Sequence, residues 1–332
     1  MENMISVIVC TFNQEDTISR TLDSILCQKC HAPFEIIIGE DCSTDGTLAI
    51  CKTYQQKYPD IIRILANKPN KGIIDNYYDC LLACKGEYIA DCAGDDYWVD
   101  DHKLEKELRV LEKHPEVTLV HTGWQIIPQS SSEILPPTPQ PYTSAITNGK
   151  LMLEEIITQT STPVIHLCTS LYRKETFLKA YQKDEYLFRN QGFGCEDLQL
   201  SFIMALNGNI AYIPDVTLNY NMGNGSISNQ SDEEKQFHFI AKTTSLRVYL
   251  AEHYYRRTDK IEKDLSHRLF ALNMHAFRSH NKALASIASQ LGKEWKVRRT
   301  ALTSVVETVM KNELTWNIAL LTRKLAVSLK RL

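Results

Sequence analysis

The first 120 residues repeat one pattern. A run of about five aliphatic or β-branched residues is followed by about twelve residues with an apolar stripe at helical spacing. Ser6–Thr11 (SVIVCT), Glu35–Gly39, Ile61–Leu65, Glu87–Cys92 and Val117–His121 read as strands. Asp16–Cys27, Thr44–Tyr58, Ile73–Cys84 and Asp100–His114 read as the helices between them. Pro59 and Pro115 stop two of these helices, and Lys85-Gly86 ends a third. Strands and helices that alternate in this way predict right-handed βαβ crossovers, and so an α/β fold with a mainly parallel sheet.

In such sheets ligands bind at the carboxyl ends of the strands, so the residues just after each strand matter most. Strand one is followed by Thr11-Phe12-Asn13-Gln14, strand two by Glu40-Asp41 and the Cys42–Gly46 turn, and strand four by Ala93-Gly94-Asp95-Asp96. Three polar clusters on one sheet edge point to a site. Asp45 or Thr44 is placed to cap the next helix, but Asp41 comes too early for that. A buried carboxylate at Asp41 needs hydrogen-bond donors, which a nucleobase or ribose would supply. Burying the adjacent Asp95 and Asp96 is costly unless a divalent cation lies between them, and hard carboxylate oxygens suit Mg²⁺ or Mn²⁺. The plainer reading of that pair is a cap for the helix near Asp100. Neither G-x-G-x-x-G nor G-x-x-x-x-G-K-[ST] occurs, which argues against a dinucleotide enzyme and a P-loop ATPase.

Composition narrows the partners. Among 332 residues, 43% are hydrophobic, enough for a full core, and the net charge of −3 leaves no basic footprint for nucleic acid. The opening MENMISVIVC lacks a basic n-region and a cleavage site. The ten cysteines therefore read as reduced thiols of a cytoplasmic protein. Cys27 and Cys30 form a C-x-x-C that closes a helical run, without a second pair or a His at zinc-finger spacing, which is a weak basis for metal or redox chemistry. No run reaches the roughly 20 apolar residues of a membrane-spanning helix.

Several blocks, in order, resemble family 2 glycosyltransferases of the GT-A fold. They are VIVCTFNQ at Val7–Gln14, FEIIIGEDCSTDGT at Phe34–Thr47, Asn70-Lys71-Gly72, GEYIADCAGDDYW at Gly86–Trp98, GFGCEDLQLSF at Gly192–Phe202 and YNMGNGSIS at Tyr220–Ser228. The resemblance implies a Rossmann-like, mixed but mainly parallel sheet over residues 1–230. It also implies inverting transfer of a sugar from a nucleotide-sugar, by family habit a UDP-sugar, to a saccharide or lipid-linked saccharide acceptor, as in bacterial surface polysaccharide synthesis. Thr11, Asn13, Asp41, Lys71, Asp95, Asp96 and Glu196 are then expected at the donor, Asp95 and Asp96 at Mn²⁺ or Mg²⁺, and Asp197 as the catalytic base. The chain departs from the pattern in two places: Ala93 replaces the first acid of the metal motif, and Asn221 and Gly223 stand where relatives carry Arg and His. These departures sustain a second reading, a catalytically silent nucleotide-sugar binding protein.

Residues 231–332 read as a helical extension. From Lys293 onward nine Lys or Arg face three acids, and Ile318, Leu321, Leu325, Leu329 and Leu332 recur at helical spacing. A basic amphipathic helix of this kind suits an anionic membrane surface, the core, or a second subunit.

Overall fold

A computed structural model describes residues 4–128, 134–159, 164–222 and 232–329. The chain divides into two compact units, Met1–Gly223 and Asn224–Leu332. The first unit begins with β1 (Ile5–Thr11), α1 (Ile18–Leu26), β2 (Phe34–Glu40), α2 (Thr47–Lys57), β3 (Ile62–Ala66), α3 (Gly72–Ala83) and β4 (Tyr88–Asp91). It continues through β5 (Tyr97–Trp98), α4 (Lys103–Lys113), β6 (Val117–Pro128), β7 (Ile146–Asn148), α5 (Leu153–Thr158) and β8 (Ser170–Arg173). It ends with α6 (Lys174–Lys183), α7 (Glu185–Arg189), α8 (Asp197–Asn207) and β9 (Asn209–Met222).

These strands form one sheet in the order β3-β2-β1-β4-β8-β6-β9-β5, with β7 also paired to β9. The long ladders, β3-β2-β1-β4 and β6-β9, are parallel, while β8 lies antiparallel between β4 and β6. Strands covered on both faces must be apolar throughout, and Ile36, Ile37 and Ile38 of β2 are fully buried. The stripe on α1 packs inward through Ile18, Thr21, Leu22 and Ile25, and that on α4 through Leu104, Leu108 and Leu111. The α/β alternation read from the sequence holds, with helix starts shifted by up to three residues.

One strand differs in kind. The run expected to end at His121 continues to Pro128 because its second half pairs with β9, after register shifts between Thr122 and Trp124. At Gly123 a Cβ would lie 3.2 Å from the Asp215 carbonyl and 3.3 Å from that of Pro214, so a side chain there would require the β9 backbone to give by a few tenths of an ångström. The Pro/Ser/Gln-rich stretch read as a loop starts at Pro128 and has no regular element over 134–141; residues 129–133 lie outside the described ones.

The second unit is helical among its described residues: α9 (Glu233–His253), α10 (Asp259–Arg278), α11 (Lys282–Glu294), α12 (Ala301–Met310) and α13 (Glu313–Leu329). The caps are legible in the sequence. Asp232, Thr258, Asn281 and Thr300 each accept a hydrogen bond from the first turn of the helix that follows. Leu246, Leu250, Leu265, Leu269 and Leu272 form its interior, and the buried Trp316 donates its indole N–H to the Phe277 carbonyl at 3.0 Å. Leu302, Val305, Leu314, Ile318 and Leu321 are exposed. The side chains of Leu325, Leu329, Leu332, Lys330 and Arg331 lie outside the described residues. Among the described residues no helix is long and apolar enough to cross a membrane.

Candidate functional site

The parallel register of β2, β1 and β4 brings their carboxyl ends to one edge. Thr11 pairs with Glu40 and Ile8 with Asp91, and the chain beyond β4 stays on β1 through Gly94 N–H donating to the Cys10 carbonyl at 3.1 Å. Asp41 follows β2 and donates its N–H to the Thr11 carbonyl at 3.0 Å. Its buried carboxylate accepts from Asn67 Nδ2 at 2.9 Å, from the Lys71 N–H at 2.8 Å and from the Gly72 N–H at 2.9 Å. The protein itself therefore supplies donors that the sequence reading assigned to a nucleobase or ribose. Asp41 is too early to cap α2, but it anchors the start of α3, where the free N–H groups and the helix dipole favour a carboxylate. Nothing in the order of residues announces this contact, because it spans thirty positions.

The other residues of this edge divide between the floor and the rim. Asn13 is exposed and left-handed, with φ 52°, and its side-chain oxygen accepts from the Thr44 N–H at 2.8 Å. It thereby ties the loop after β1 to the loop after β2. Asp45 accepts from the Thr47 N–H at 3.0 Å and secures the start of α2. Lys71 contributes its backbone N–H to Asp41, while its ammonium pairs with Asp79 at 2.7 Å.

The turn after β4 carries Asp95 and Asp96. The plainer reading of this pair, a helix cap, does not hold: α4 starts only at Lys103, and Asp100 accepts the His102 N–H before it at 2.9 Å. The turn is held from α1 instead. Thr17 Oγ1 donates to the Gly94 carbonyl at 2.8 Å, and Thr21 Oγ1 donates to the Asp96 carbonyl at 2.6 Å. Asp96 is buried and accepts the Asn221 N–H from the end of β9 at 2.9 Å. Burial and the neighbouring Asp95 charge push the Asp96 carboxyl well above the usual range, and burial also raises Asp95. Arg20, stacked over the Tyr97 ring at 4.1 Å, opposes both shifts with its charge. Beside them, Thr11 Oγ1 and Gln14 Oε1 are buried without hydrogen-bond partners. A Cβ on Gly94 would lie 2.9 Å and 2.3 Å from these two atoms. Two acidic oxygen donors held together at this energetic cost, beside two orphaned polar atoms, fit a divalent cation with a polar ligand. Ala93, in place of the usual first acid, donates its N–H to the Cys168 thiol at 3.4 Å.

Glu196 precedes α8 and Asp197 is its first residue. The Tyr78 hydroxyl of α3 donates to the Glu196 carbonyl at 3.1 Å. The Glu196 carboxyl is pushed up to about 8 by burial, then by the Asp197 charge, with a further contribution from Asp91. Asp91, the last residue of β4, is itself raised to about 7 by burial and accepts from the Tyr77 hydroxyl at 2.7 Å. These mutual effects place the start of α8 near the carboxyl end of β4. They also let the Glu196 carboxyl hold its proton to higher pH than an ordinary glutamate does.

Sequence reasoning missed Arg20, Thr17 and Thr21, whose only advance signal is their spacing on one face of α1. It also passed over Phe12, which stands 46% exposed directly after Thr11. The final block of the motif set is described only as far as Met222; residues 223–231, including Gly223, lie outside the described ones. A cavity lined by Gly86, Tyr88, Arg173 and Lys174 lies at the amino end of β4, opposite this edge. Its Arg173 guanidinium is already spent on the carbonyls of Leu111, His114 and Val117.

Comparison with known proteins gives the chain its relatives. The family profile described as "Glycosyl transferase family 2" matches residues 6–179. An uncharacterized protein of Mycobacterium tuberculosis is 41% identical over 114 residues, which make up 34% of this chain and 33% of that protein. The match thus spans about a third of the length of that curated relative. Staphylococcus aureus TarS (residues 1–349), solved in complex with UDP-GlcNAc, superposes with a TM-score of 0.56 at 18% identity, covering 92% of this chain and 91% of that one. The mannosyltransferase PcManGT of Pyrobaculum calidifontis, solved with GDP-Man and Mn²⁺, superposes with a TM-score of 0.52 at 15% identity, covering 96% of this chain and 86% of that one. At these identities the two structures speak for the fold alone.

Proposed function

The chain belongs to glycosyl transferase family 2, and from that premise we propose that it is an inverting transferase moving a sugar from a nucleotide-sugar, a UDP-sugar first, to a hydroxyl of a saccharide acceptor. The observation that carries the reading is the carboxylate pair Asp95–Asp96 on the carboxyl edge of the sheet, with the unpartnered Thr11 Oγ1 and Gln14 Oε1 beside it. TarS binds UDP-GlcNAc and PcManGT binds GDP-Man with Mn²⁺ on the same fold, which supports a metal-assisted donor site here.

In this reading Thr11, Asn13 and Asp41 form the nucleoside side of the site. Asp41 acts partly by holding the Lys71–Gly72 backbone in place. Asp95 and Asp96 would hold Mn²⁺ or Mg²⁺, which when bound offsets the negative charge on the departing diphosphate. Asp197 accepts the proton of the acceptor hydroxyl as that oxygen attacks the anomeric carbon. The bond from that carbon to the diphosphate oxygen breaks on the opposite face, so the configuration inverts and no covalent enzyme intermediate forms. Glu196, whose carboxyl is raised by burial and by the Asp197 charge, orients its neighbours. The basic stretch after Lys293 and the exposed Leu314, Ile318 and Leu321 support contact with an anionic lipid surface that carries the acceptor. Failure to float with anionic vesicles at low salt would remove that element.

The test is thermal stability with UDP, GDP and CMP, each with and without Mn²⁺, on the native chain and Asp95→Ala. A ligand at a hundredfold excess over its Kd stabilises by about 2.7 kcal/mol. A Mn²⁺-dependent shift with one nucleotide, lost in Asp95→Ala, is expected. No shift with any nucleotide would refute the donor site. A shift without sugar transfer to any acceptor would favour the silent binding protein.

A further inference from the structure

The C-x-x-C at Cys27 and Cys30 plays no part in the site above, yet the fold brings a carboxylate from α4 to Cys30 and the adjacent His31. The segment after α1 runs beside α4. One ligand atom each from Cys30, His31 and Glu105 lies within 4.8 Å of the others. His31 Nδ1 is 2.7 Å from Glu105 Oε2, and the His31 backbone N–H donates to the same oxygen at 3.0 Å. The Cys30 thiol hydrogen-bonds Glu105 as well. On the far side of the ring, His31 Nε2 is 3.1 Å from Glu112 Oε1, one helical stretch further along α4.

We propose that Cys30, His31 and Glu105 form a zinc site joining the α1–β2 connection to α4, with Glu112 as the outer partner of the histidine. The donor set is one thiolate, one imidazole and one carboxylate, the mixture that a borderline-soft, tetrahedral ion selects over Mg²⁺ or Ca²⁺. Three protein ligands leave a fourth position for water. The second observation is the Glu112 carboxylate. A metal-bound histidine almost always gives its other ring N–H to such a group, which fixes the tautomer and the ring orientation. Here that carboxylate is already in place on Nε2, leaving Nδ1 for the metal. On binding, the thiol proton of Cys30 and the extra ring proton of a charged His31 pass to solvent, so the imidazole coordinates as the neutral form.

The placement gives the ion a task. Thr17, the cap residue of α1, and Thr21 within it hold the backbone of the Asp95–Asp96 turn, and α4 begins seven residues after that turn. A clip between the end of α1 and α4 therefore joins the two helices that flank the turn. The short ion pairs already present, Arg109 with Glu105 at 2.6 Å and Lys29 with Asp101, lie around the same junction.

The experiment uses the full chain stripped with a chelator and then titrated with Zn²⁺ alone, and in parallel with Co²⁺ as a spectroscopic probe. Asp95→Asn serves as the background, so that the carboxylate pair does not add to the count. One equivalent of zinc should survive gel filtration and raise the melting temperature. Co²⁺ should give a thiolate charge-transfer band in the near ultraviolet. Cys30→Ser should abolish the band and the retained zinc. Glu112→Gln should keep the band but weaken affinity by about 10–100-fold. Absence of retained zinc in the Asp95→Asn background would overturn the proposal, and so would a Co²⁺ band that persists in Cys30→Ser.

Discussion

Asp41 offers the sharpest test of how this site is built, because its role in the ligand-free protein is independent of any substrate. The residue is 4% exposed, and its carboxylate accepts three hydrogen bonds, from Asn67, Lys71 and Gly72. Replacement by alanine leaves three donors facing a small void. A hydrogen bond to a charged group contributes about 1.5–3 kcal/mol, but the three are lost together and water entering the gap restores part, so a net loss of about 4 kcal/mol follows. For a unit of this size each kcal/mol moves the melting temperature by about 2–4 °C, which gives a fall of about 10 °C. Asp41→Asn keeps the shape and one acceptor oxygen but turns an amide N–H₂ toward a donor, so it should lose roughly half as much. The assay is circular dichroism melting at neutral pH with no nucleotide present. An Asp41→Ala protein that melts within about 1 °C of the native chain would refute the anchoring of α3 by this carboxylate. The same variants, titrated with nucleotide well below their melting points, then report how much Asp41 adds at the donor.

Asp197→Asn should lower kcat by about 10²–10⁴-fold while leaving the nucleotide dissociation constant unchanged; unaltered turnover would remove Asp197 as the base. Glu196 titrates near 8 in the folded protein, so the folded state keeps a proton that the unfolded chain releases near the ordinary glutamate value. Its contribution to stability is therefore full in acid and is lost as pH rises toward and through 8. The melting temperature of Glu196→Gln relative to the native chain should climb between pH 5 and pH 9, and a constant difference would contradict the assignment. Lys103 and Glu107 form a fully buried ion pair at 2.7 Å, with the Lys103 ammonium 4.5 Å from the Trp98 ring centroid. Lys103→Met alone should cost about 3–5 kcal/mol in denaturant unfolding, whereas Lys103→Met with Glu107→Leu should be close to neutral. Equal losses in the two would show that the charge left behind is not the cause.

The architecture was legible because its signals are local. The β-branched runs at Val7–Val9 and Ile36–Ile38, the stripe Ile18–Leu22–Ile25 and the stops at Pro59 and Pro115 act over a few residues, where pattern and structure correspond directly. The motif blocks likewise single out Asp95, Asp96 and Asp197 as candidates. Cross-chain partners were less legible. The extension of β6 to Pro128 depends on β9, nearly a hundred residues away, and the antiparallel insertion of β8 between β4 and β6 has no mark in its own four residues. Asp41 was picked out correctly as a buried carboxylate needing donors. The donors themselves came from a turn thirty residues on, because only the paired strands bring that turn to it.

The alternation of strands and helices, and the sheet edge to which the polar clusters after the strands are brought, can be read from the chain order; the residues picked out there remain candidates for chemistry. These follow from periodicity and from the rule that parallel strands present their carboxyl ends together. Tertiary structure alone decided which of those residues are satisfied and which remain strained. Asp41 and Asn13 are taken up by the scaffold, Asp95 and Asp96 stay paired at an electrostatic cost, and Cys30 meets His31 and Glu105. Whether a buried charge finds a donor, a second charge or nothing depends on distances across the fold, and no local pattern in the chain encodes those distances.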